Sequence, residues 1–592
     1  MNNTVSETKI CQNCKNPFTI ESEDFAFYEK IKVPPPTFCP ECRLIRRMMF
    51  RNEWTLYKRK CDLCGKEMIT MHSPDKPRKV YCNPCWWSDK WDASDYAADY
   101  DPNRNFFEQF GELQKKVPFM ALICDYSTLI NSDYVNHAGN SKNSYFVFNA
   151  DFMENSCYLT QTNNAKECME GYSIFFTEFS YEGININKSY GVYYSEDIES
   201  SQNIYFSKNL SGCGDCFGCI NLRNKHYYIF NEPYSREEYK KKLAEFNLGS
   251  SATVREMKEK ARAFWLKSPH KFYHGAHNVN SSGDYLYYCK NVTESYLVNG
   301  GEDMKFCQWI NMKPVKDAYD YTEWGMGGER IYECVTAGQG ASDIRMSHAI
   351  WMGPTTDIEY CLYVLASNHM FGSIGMRKKE HCILNKQYTK EEYGALREKI
   401  ISDMQAYPYM DARGRKFSYG EFFPYDLSLY DYNESSAHEY FPFDRDGAEA
   451  QGWRWKEKEN ILYQITKKAD DLPDHINGVP DAIVKETIAC ASCGRAYRII
   501  QQELDLLRRF GLPAPRLCFE CRHRARLVRL NPMRFYPRQC QCAGQGSTNG
   551  VYPNAAEHFH GASACPNEFE TSYAPERPEI VYCESCYQAE VA

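Results

Sequence analysis

The sequence predicts a multidomain, mostly β chain. Its centre reads as a duplicated, β-solenoid-like array of stacked strands with capping helices, and cysteine-clipped modules flank it at both ends. Three observations predict this. Cys-x-x-Cys pairs recur at matched intervals near both termini, two central segments repeat each other, and short aromatic strands recur in steps of 10–14 residues between turn-forming Asn, Gly, Ser and Asp. The chain has 592 residues, which exceeds one ordinary core, and 45 Tyr and 33 Phe, which suit strands and half-buried faces.

The N-terminal cysteines are Cys11, Cys14, Cys39, Cys42, Cys61, Cys64, Cys82 and Cys85. The C-terminal ones are Cys490, Cys493, Cys518, Cys521, Cys540, Cys542, Cys565, Cys583 and Cys586. The step from Cys14 to Cys39 is 25 and recurs from Cys493 to Cys518; the step of 19 from Cys42 to Cys61 recurs from Cys521 to Cys540; the step of 18 from Cys64 to Cys82 recurs from Cys565 to Cys583. Three intervals kept in order read as an internal duplication. One interval differs: Cys61 to Cys64 is 3, but Cys540 to Cys565 is 25, so an insertion opens the first pair of the last module. It carries Cys542, His558 and His560, which read as substitute ligands for that site.

Zinc explains the spacing. One Cys-x-x-Cys turn offers two thiolates on one side of a tetrahedral ion, and a distant second turn closes the site. The expected ligands are the N-terminal eight together with Cys490, Cys493, Cys518, Cys521, Cys540, Cys565, Cys583 and Cys586, for about four zinc ions per chain. The stretch CQNCKNPFTIESEDFAFYEKIKVPPPTFCPECR resembles the zinc-ribbon family of treble-clef type. The resemblance covers roughly residues 9–50, and more loosely 488–530, where FYEK is missing. It implies a zinc-binding structural module and no reaction.

A treble clef opens a helix at its second cysteine pair. Arg43, Arg47 and Arg51 then share one helix face, with Arg46 beside them, and Arg522, Arg526 and Arg529, with Arg524, do nearly the same in the other copy. The segment from Cys39 to Lys60 carries net +5, as does that from Cys518 to Cys540, inside a chain of net −8. Arginine forks fit phosphate or carboxylate, and Phe50, Trp54, Tyr57, Phe535 and Tyr536 offer stacking surfaces for unpaired bases. Three destinations stay open: nucleic acid, an acidic surface of a partner or of the chain itself, and solvent.

In the centre, CFGCINLRNKHYYIFNEPYSREEY at 216–239 parallels MFGSIGMRKKEHCILNKQYTKEEY at 370–393 at a constant offset of 154. Each block ends in a capping box, Ser235 with Glu238 and Thr389 with Glu392, opening a helix suited to closing a strand stack. Further helices are expected at 104–116 and 252–266. The expected organisation is 1–90, tandem zinc modules; 91–132, a helical connector; 133–250, the first β-rich block; 251–283, a helical insertion; 284–405, the second block; 406–487, an aromatic tail with a polar linker; and 488–592, the second pair of zinc modules. A sandwich is the alternative for the centre, and the two ends are expected to form one basic head.

Cys213, Cys216 and Cys219 in CGDCFGC have spacing that suits an iron–sulfur site, but the second copy has Met370 and Ser373 in place of the last two, so packing is the favoured reading. His274 and His277 read as turn or core. No phosphate loop, dinucleotide glycine motif, HExxH or GxSxG occurs. The N-terminus has no apolar leader segment and the longest apolar run, VPFMALIC, is far short of a membrane span, so a cytoplasmic, membrane-free protein is expected. The favoured function is a non-enzymatic zinc scaffold or adaptor binding nucleic acid or a ribonucleoprotein through the arginine helices. The alternatives are a protein-interaction scaffold without nucleic acid and a hydrolase acting on carbohydrate or nucleic acid across the array face.

Overall fold

The computed structural model describes residues 6–457 and 463–591. The first five residues of the N-terminal segment, and 458–462 of the expected linker, lie outside the described residues. The chain forms two compact units. The first joins Met1–Leu122 to Tyr273–Glu457, and the second joins Ile123–Phe272 to Lys458–Ala592. The N-terminal cysteine modules therefore share a unit with the second central block, and the C-terminal modules share one with the first. Each unit holds two of the four four-cysteine groups.

Both central blocks are large, curled, mostly parallel sheets. In the second unit each short strand pairs with the one twelve residues further on: Ile184 lies beside Glu196, Glu196 beside Lys208, and Lys208 beside Ile220. The interior obeys a period of three. Val135, Ala138, Val147, Ala150, Met153, Leu159 and Ile174 belong to one apolar core, as do Ile186, Ile198 and Leu210, and every one of these positions is a multiple of three from the first. The intervening places go to buried serines such as Ser195 and Ser207.

These serines work as inward hydrogen-bond relays. Ser195 Oγ donates to the Tyr193 carbonyl at 2.8 Å and accepts the Ser207 amide at 3.0 Å; Ser207 Oγ repeats this with Tyr205 at 2.8 Å and the Cys219 amide at 3.0 Å. A small hydroxyl packs between the aliphatic side chains of this interior and arrives already satisfied. The residue before each new three-residue segment turns through the left-handed region, as at Asn203, Phe206 and Asn209 with φ of 53, 48 and 56°. After glycine, asparagine and aspartate tolerate this conformation best, and their side chains form ladders along the array. Asn185 donates to Asp197 at 2.8 Å, and Asn203 to Asp215 at 3.0 Å.

The first unit's array is less regular. Gly275 pairs with Leu286, Asp284 with Tyr296, Met304 with Ala318, and Ile331 with Ile344, so its register steps vary from 11 to 14. Both arrays end alike. An antiparallel pair, His226–Ile229 with Glu232–Pro233 or Glu380–Ile383 with Lys386–Gln387, leads into the helix Arg236–Glu245 or Lys390–Ala406. Both expected capping boxes form.

The other expected helices occupy Phe106–Lys116 and Ser251–Trp265. The first packs Phe106 and Phe107 against Tyr360. The second buries Val254, Met257, Ala261 and Trp265 at helical spacing in the second unit's core. Part of the expected polar linker is structural instead: Ala469, Leu472, Ile476, Val479 and Ile483 are buried in that same core. Charged residues between these anchors hide the pattern from a composition reading. No helix among the described residues is long and apolar enough to cross a membrane.

Candidate metal centres and the buried arginine helices

Four sets of thiols converge: Cys11, Cys14, Cys39, Cys42; Cys61, Cys64, Cys82, Cys85; Cys490, Cys493, Cys518, Cys521; and Cys540, Cys565, Cys583, Cys586, with the sulfurs of each set within 4.8 Å of one another. The local architecture repeats. A two-stranded hairpin, Glu7–Ile10 with Pro17–Ile20 in the first case, carries one cysteine pair in its turn. The second pair begins a helix: Cys39 caps Pro40–Met48, Cys82 caps Asn83–Trp86, Cys518 caps Phe519–Leu527, and Cys583 precedes Glu584–Val591. A helix N-terminus favours thiolate because its amides and dipole stabilise negative charge.

The same contact locks each half to the other. The Cys39 amide donates to the Cys11 sulfur at 3.3 Å, Cys82 to Cys61 at 3.3 Å, Cys518 to Cys490 at 3.2 Å, and Cys583 to Cys540 at 3.2 Å. Across the clusters, Cys14 and Cys39 sulfurs lie 3.7 Å apart, Cys64 and Cys82 3.8 Å, Cys493 and Cys518 3.7 Å, and Cys565 and Cys583 3.9 Å. These separations are those of sulfurs around one tetrahedral ion with metal–sulfur bonds of about 2.3 Å. Burial pushes Cys61 up, but the amides of Cys82, Cys64 and Leu63 more than offset it and bring the thiol to about 7. Cys583 falls to about 4, chiefly through the hydrogen bond from Cys540. The four groups are consistent with zinc-ribbon-like sites and chemically suited to a metal ion.

The arginines that follow the second cysteine pair turn inward. Arg43, Arg46, Arg47 and Arg51 are each at most 1% exposed. Arg43 meets Asp320 at 2.8 Å, Arg47 meets the other oxygen of Asp320 at 2.9 Å, and Arg46 bridges Glu333 at 3.0 Å and Glu421 at 2.9 Å. Arg51 joins Glu53 and Glu323, both at 2.6 Å. The rings of Phe38 and Phe306 face Arg46 and Arg43 at 4.4 and 5.2 Å. Burial opposes the charge of Arg46, yet Glu333 and Glu421 carry its pKa above the usual guanidinium range.

The second unit repeats the arrangement. Arg522 pairs with Glu170 and Glu503, both at 2.8 Å, and Arg526 also pairs with Glu170, while Arg529 meets Glu196 at 2.6 Å. Asp320, Glu333 and Glu170 occupy left-handed corners of the arrays, with φ of 53, 48 and 60°. The corner geometry sends these carboxylates outward onto the docking helix. Arg43, Arg46, Arg47, Arg51, Arg522 and Arg526 therefore do not present their charge to solvent; among the singled-out arginines Arg524 is exposed and Arg529 half-buried. Arg43 and Arg47, and Arg522 and Arg526, share a helix face as the spacing predicts, whereas Arg51 and Arg529 lie just beyond the helices Pro40–Met48 and Phe519–Leu527. Glu53 and Glu503 are near in sequence, but Asp320, Glu333, Glu323 and Glu170 lie hundreds of residues from the arginines they meet, on the arrays.

Cys213, Cys216 and Cys219 point into the second unit's core, and their thiols donate to the carbonyls of Ser211, Gly214 and Phe217 at 3.4, 3.5 and 3.4 Å. They occupy serine-type interior positions and do not appear among the metal-ligating groups of the described residues. Cys168, Cys307, Cys334 and Cys361 are likewise buried, as are Cys157, Cys289 and Cys382. His274 bonds Asp284 at 2.9 Å and stacks on Tyr285, and His277 stacks on Tyr288.

No family model matches the chain, and no curated protein matches it. Among solved structures, the chain has a match to a "putative acetyltransferase" from Desulfovibrio desulfuricans G20, at 10% identity over 48% of this chain and 84% of that one, with a TM-score of 0.09. A score this low carries no argument about fold or activity.

Proposed function

We propose that the chain is a non-catalytic, zinc-stabilised scaffold. In this reading each array is a β-solenoid, the two units descend from one duplicated ancestor, and zinc fills the four tetrathiolate groups. The twelve-residue register of the second unit supports the solenoid assignment. The observation that carries the functional reading is the burial of the arginine helices against array carboxylates. Zinc clips each helix, and the helix seals an array face that would otherwise expose unpaired acids. Binding of zinc to such thiolate sets is worth on the order of 10 kcal/mol, enough to hold a small module with a poor core.

The carboxylates brought together beneath these helices are committed to guanidinium groups, which disfavours them as the acid–base pair of a hydrolase. A protein partner on the free array faces fits the scaffold better than nucleic acid held by the arginines. The exposed cations of the two basic segments that could meet nucleic acid are Lys58, Lys60, Arg524 and Arg534. Purification under reducing conditions without nuclease tests the proposal. The expected outcome is zinc in the chain and no bound nucleic acid. Tight, salt-sensitive nucleic-acid binding abolished by changing Lys58, Lys60, Arg524 and Arg534 to Glu would replace it with the nucleic-acid reading.

A further inference from the structure

The insertion that separates Cys540 from Cys565 has no counterpart in the other three modules. Between the strands Tyr536–Gln539 and Glu568–Thr571 no helix or strand is formed among the described residues. Yet Cys542, Asn554 and His558 in this segment are at most 5% exposed. A long loop buried without secondary structure needs something to hold it.

The loop brings together Cys542, His558 and His560 with Cys586, and their ligand atoms lie within 4.8 Å of one another. Cys586 also completes the Cys540, Cys565, Cys583 group. Both sets are formed at once, so the loop residues do not stand in for the aligned cysteines. We infer that the C-terminal module holds a second divalent ion of zinc type, ligated by Cys542, His558 and His560 and bridged to the fourth centre through the Cys586 thiolate. The inference rests on the zinc reading of the four-cysteine groups.

The orientation of each ligand supports it. His558 Nε2 donates to Glu590 at 2.8 Å, with both side chains at most 1% exposed, which leaves Nδ1 as the lone-pair nitrogen, 3.7 Å from the Cys542 sulfur. His560 Nδ1 donates to the Ser563 carbonyl at 2.7 Å, which leaves Nε2 facing the Cys586 sulfur at 3.2 Å. Metal-bound imidazoles are held in this way, with the second ring nitrogen given to a carboxylate or carbonyl. Asn554 donates to the Cys542 sulfur at 3.5 Å. Glu590 is itself placed by the Ala555 and Ala556 amides, both at 3.1 Å, and by the Tyr552 hydroxyl at 3.0 Å.

Charge points the same way. A lone ion on four thiolates carries −2, whereas five thiolates, two imidazoles and two dications carry −1, so the second ion relieves buried negative charge beside Glu590. Binding it releases the Cys542 proton and involves no redox step. The set has four protein ligands and no open position, so the ion is structural.

Metal content of the full-length reduced protein tests the inference. Five zinc per chain are expected, falling to four in the Cys542→Ser/His560→Ala double variant. Four in the native chain, or five retained in the variant, would overturn the inference while leaving the tetrathiolate reading intact. No zinc at all would overturn both. Should the variant fail to fold, cadmium-113 spectra of the native chain decide: a mixed nitrogen–sulfur resonance coupled to an all-sulfur one is expected through the shared thiolate, and the absence of that coupled pair refutes the bridge.

Discussion

Arg47→Met is the sharpest test of where the arginines act. Arg47 lies 2.9 Å from Asp320 and 3.4 Å from Glu333, and its Nε donates to Thr322 at 3.1 Å. Methionine keeps the stem and removes the charge. Arg43 and Arg46 then face Asp320, Glu333 and Glu421 alone, leaving one buried negative charge uncompensated. At an effective dielectric of about 20, a pair at this distance is worth roughly 6 kcal/mol before desolvation is counted, and breaking buried pairs costs about 3–5 kcal/mol. The unit contains about 300 residues, so its unfolding entropy near the midpoint is about 0.6 kcal/mol/K, and the expected fall in Tm is about 5–8 °C. Tryptophan fluorescence reads this unit selectively, because of the ten tryptophans only Trp265 lies in the second unit. Lys58→Met, at an exposed position of the same unit, is the control and should change stability by less than about 0.5 kcal/mol. A Tm shift under about 1 °C for Arg47→Met would refute the reasoning and return the arginine to an external partner.

Two further outcomes follow from the interior. His348 is buried, bonds the Val335 carbonyl through Nδ1 at 3.2 Å, and is pushed down to about 3 by burial. It stays neutral in the fold while the unfolded chain takes up a proton below about 6.5, so stability falls as pH drops from about 6.5 toward 3; His348→Gln should reduce the stability lost by the first unit between pH 7 and 5 by about 2 kcal/mol, and an unchanged pH profile would refute the assignment. At Asn203, where φ is 53° and the side chain donates to Asp215 at 3.0 Å, valine should cost about 2–3 kcal/mol and glycine about 1, measured by circular-dichroism melting; equal losses would show that the left-handed corner is not what selects asparagine.

The sequence by itself determined the four four-cysteine sets, but not that Cys542, His558 and His560 gather beside Cys586 instead of replacing an aligned cysteine. A Cys-x-x-Cys turn and a cysteine at a helix start are local structures, and matched intervals supply their partners without knowledge of the fold. Capping boxes at Ser235 and Thr389 and the helices near 106 and 251 were legible for the same reason. Tertiary structure alone decided that the N-terminal modules belong with the second array and the C-terminal modules with the first. It also decided that Arg43, Arg47 and Arg522 meet Asp320, Glu333 and Glu170, pairings separated by hundreds of residues that no local pattern encodes. The arrays lie between these cases. Their inward Val, Ala, Ser and Cys residues are written at a spacing of three, but a helix repeats every 3.6 residues and a strand every two, so neither periodicity reveals them. A three-residue spacing becomes a core only when a left-handed corner follows each segment and the register stacks one segment above another.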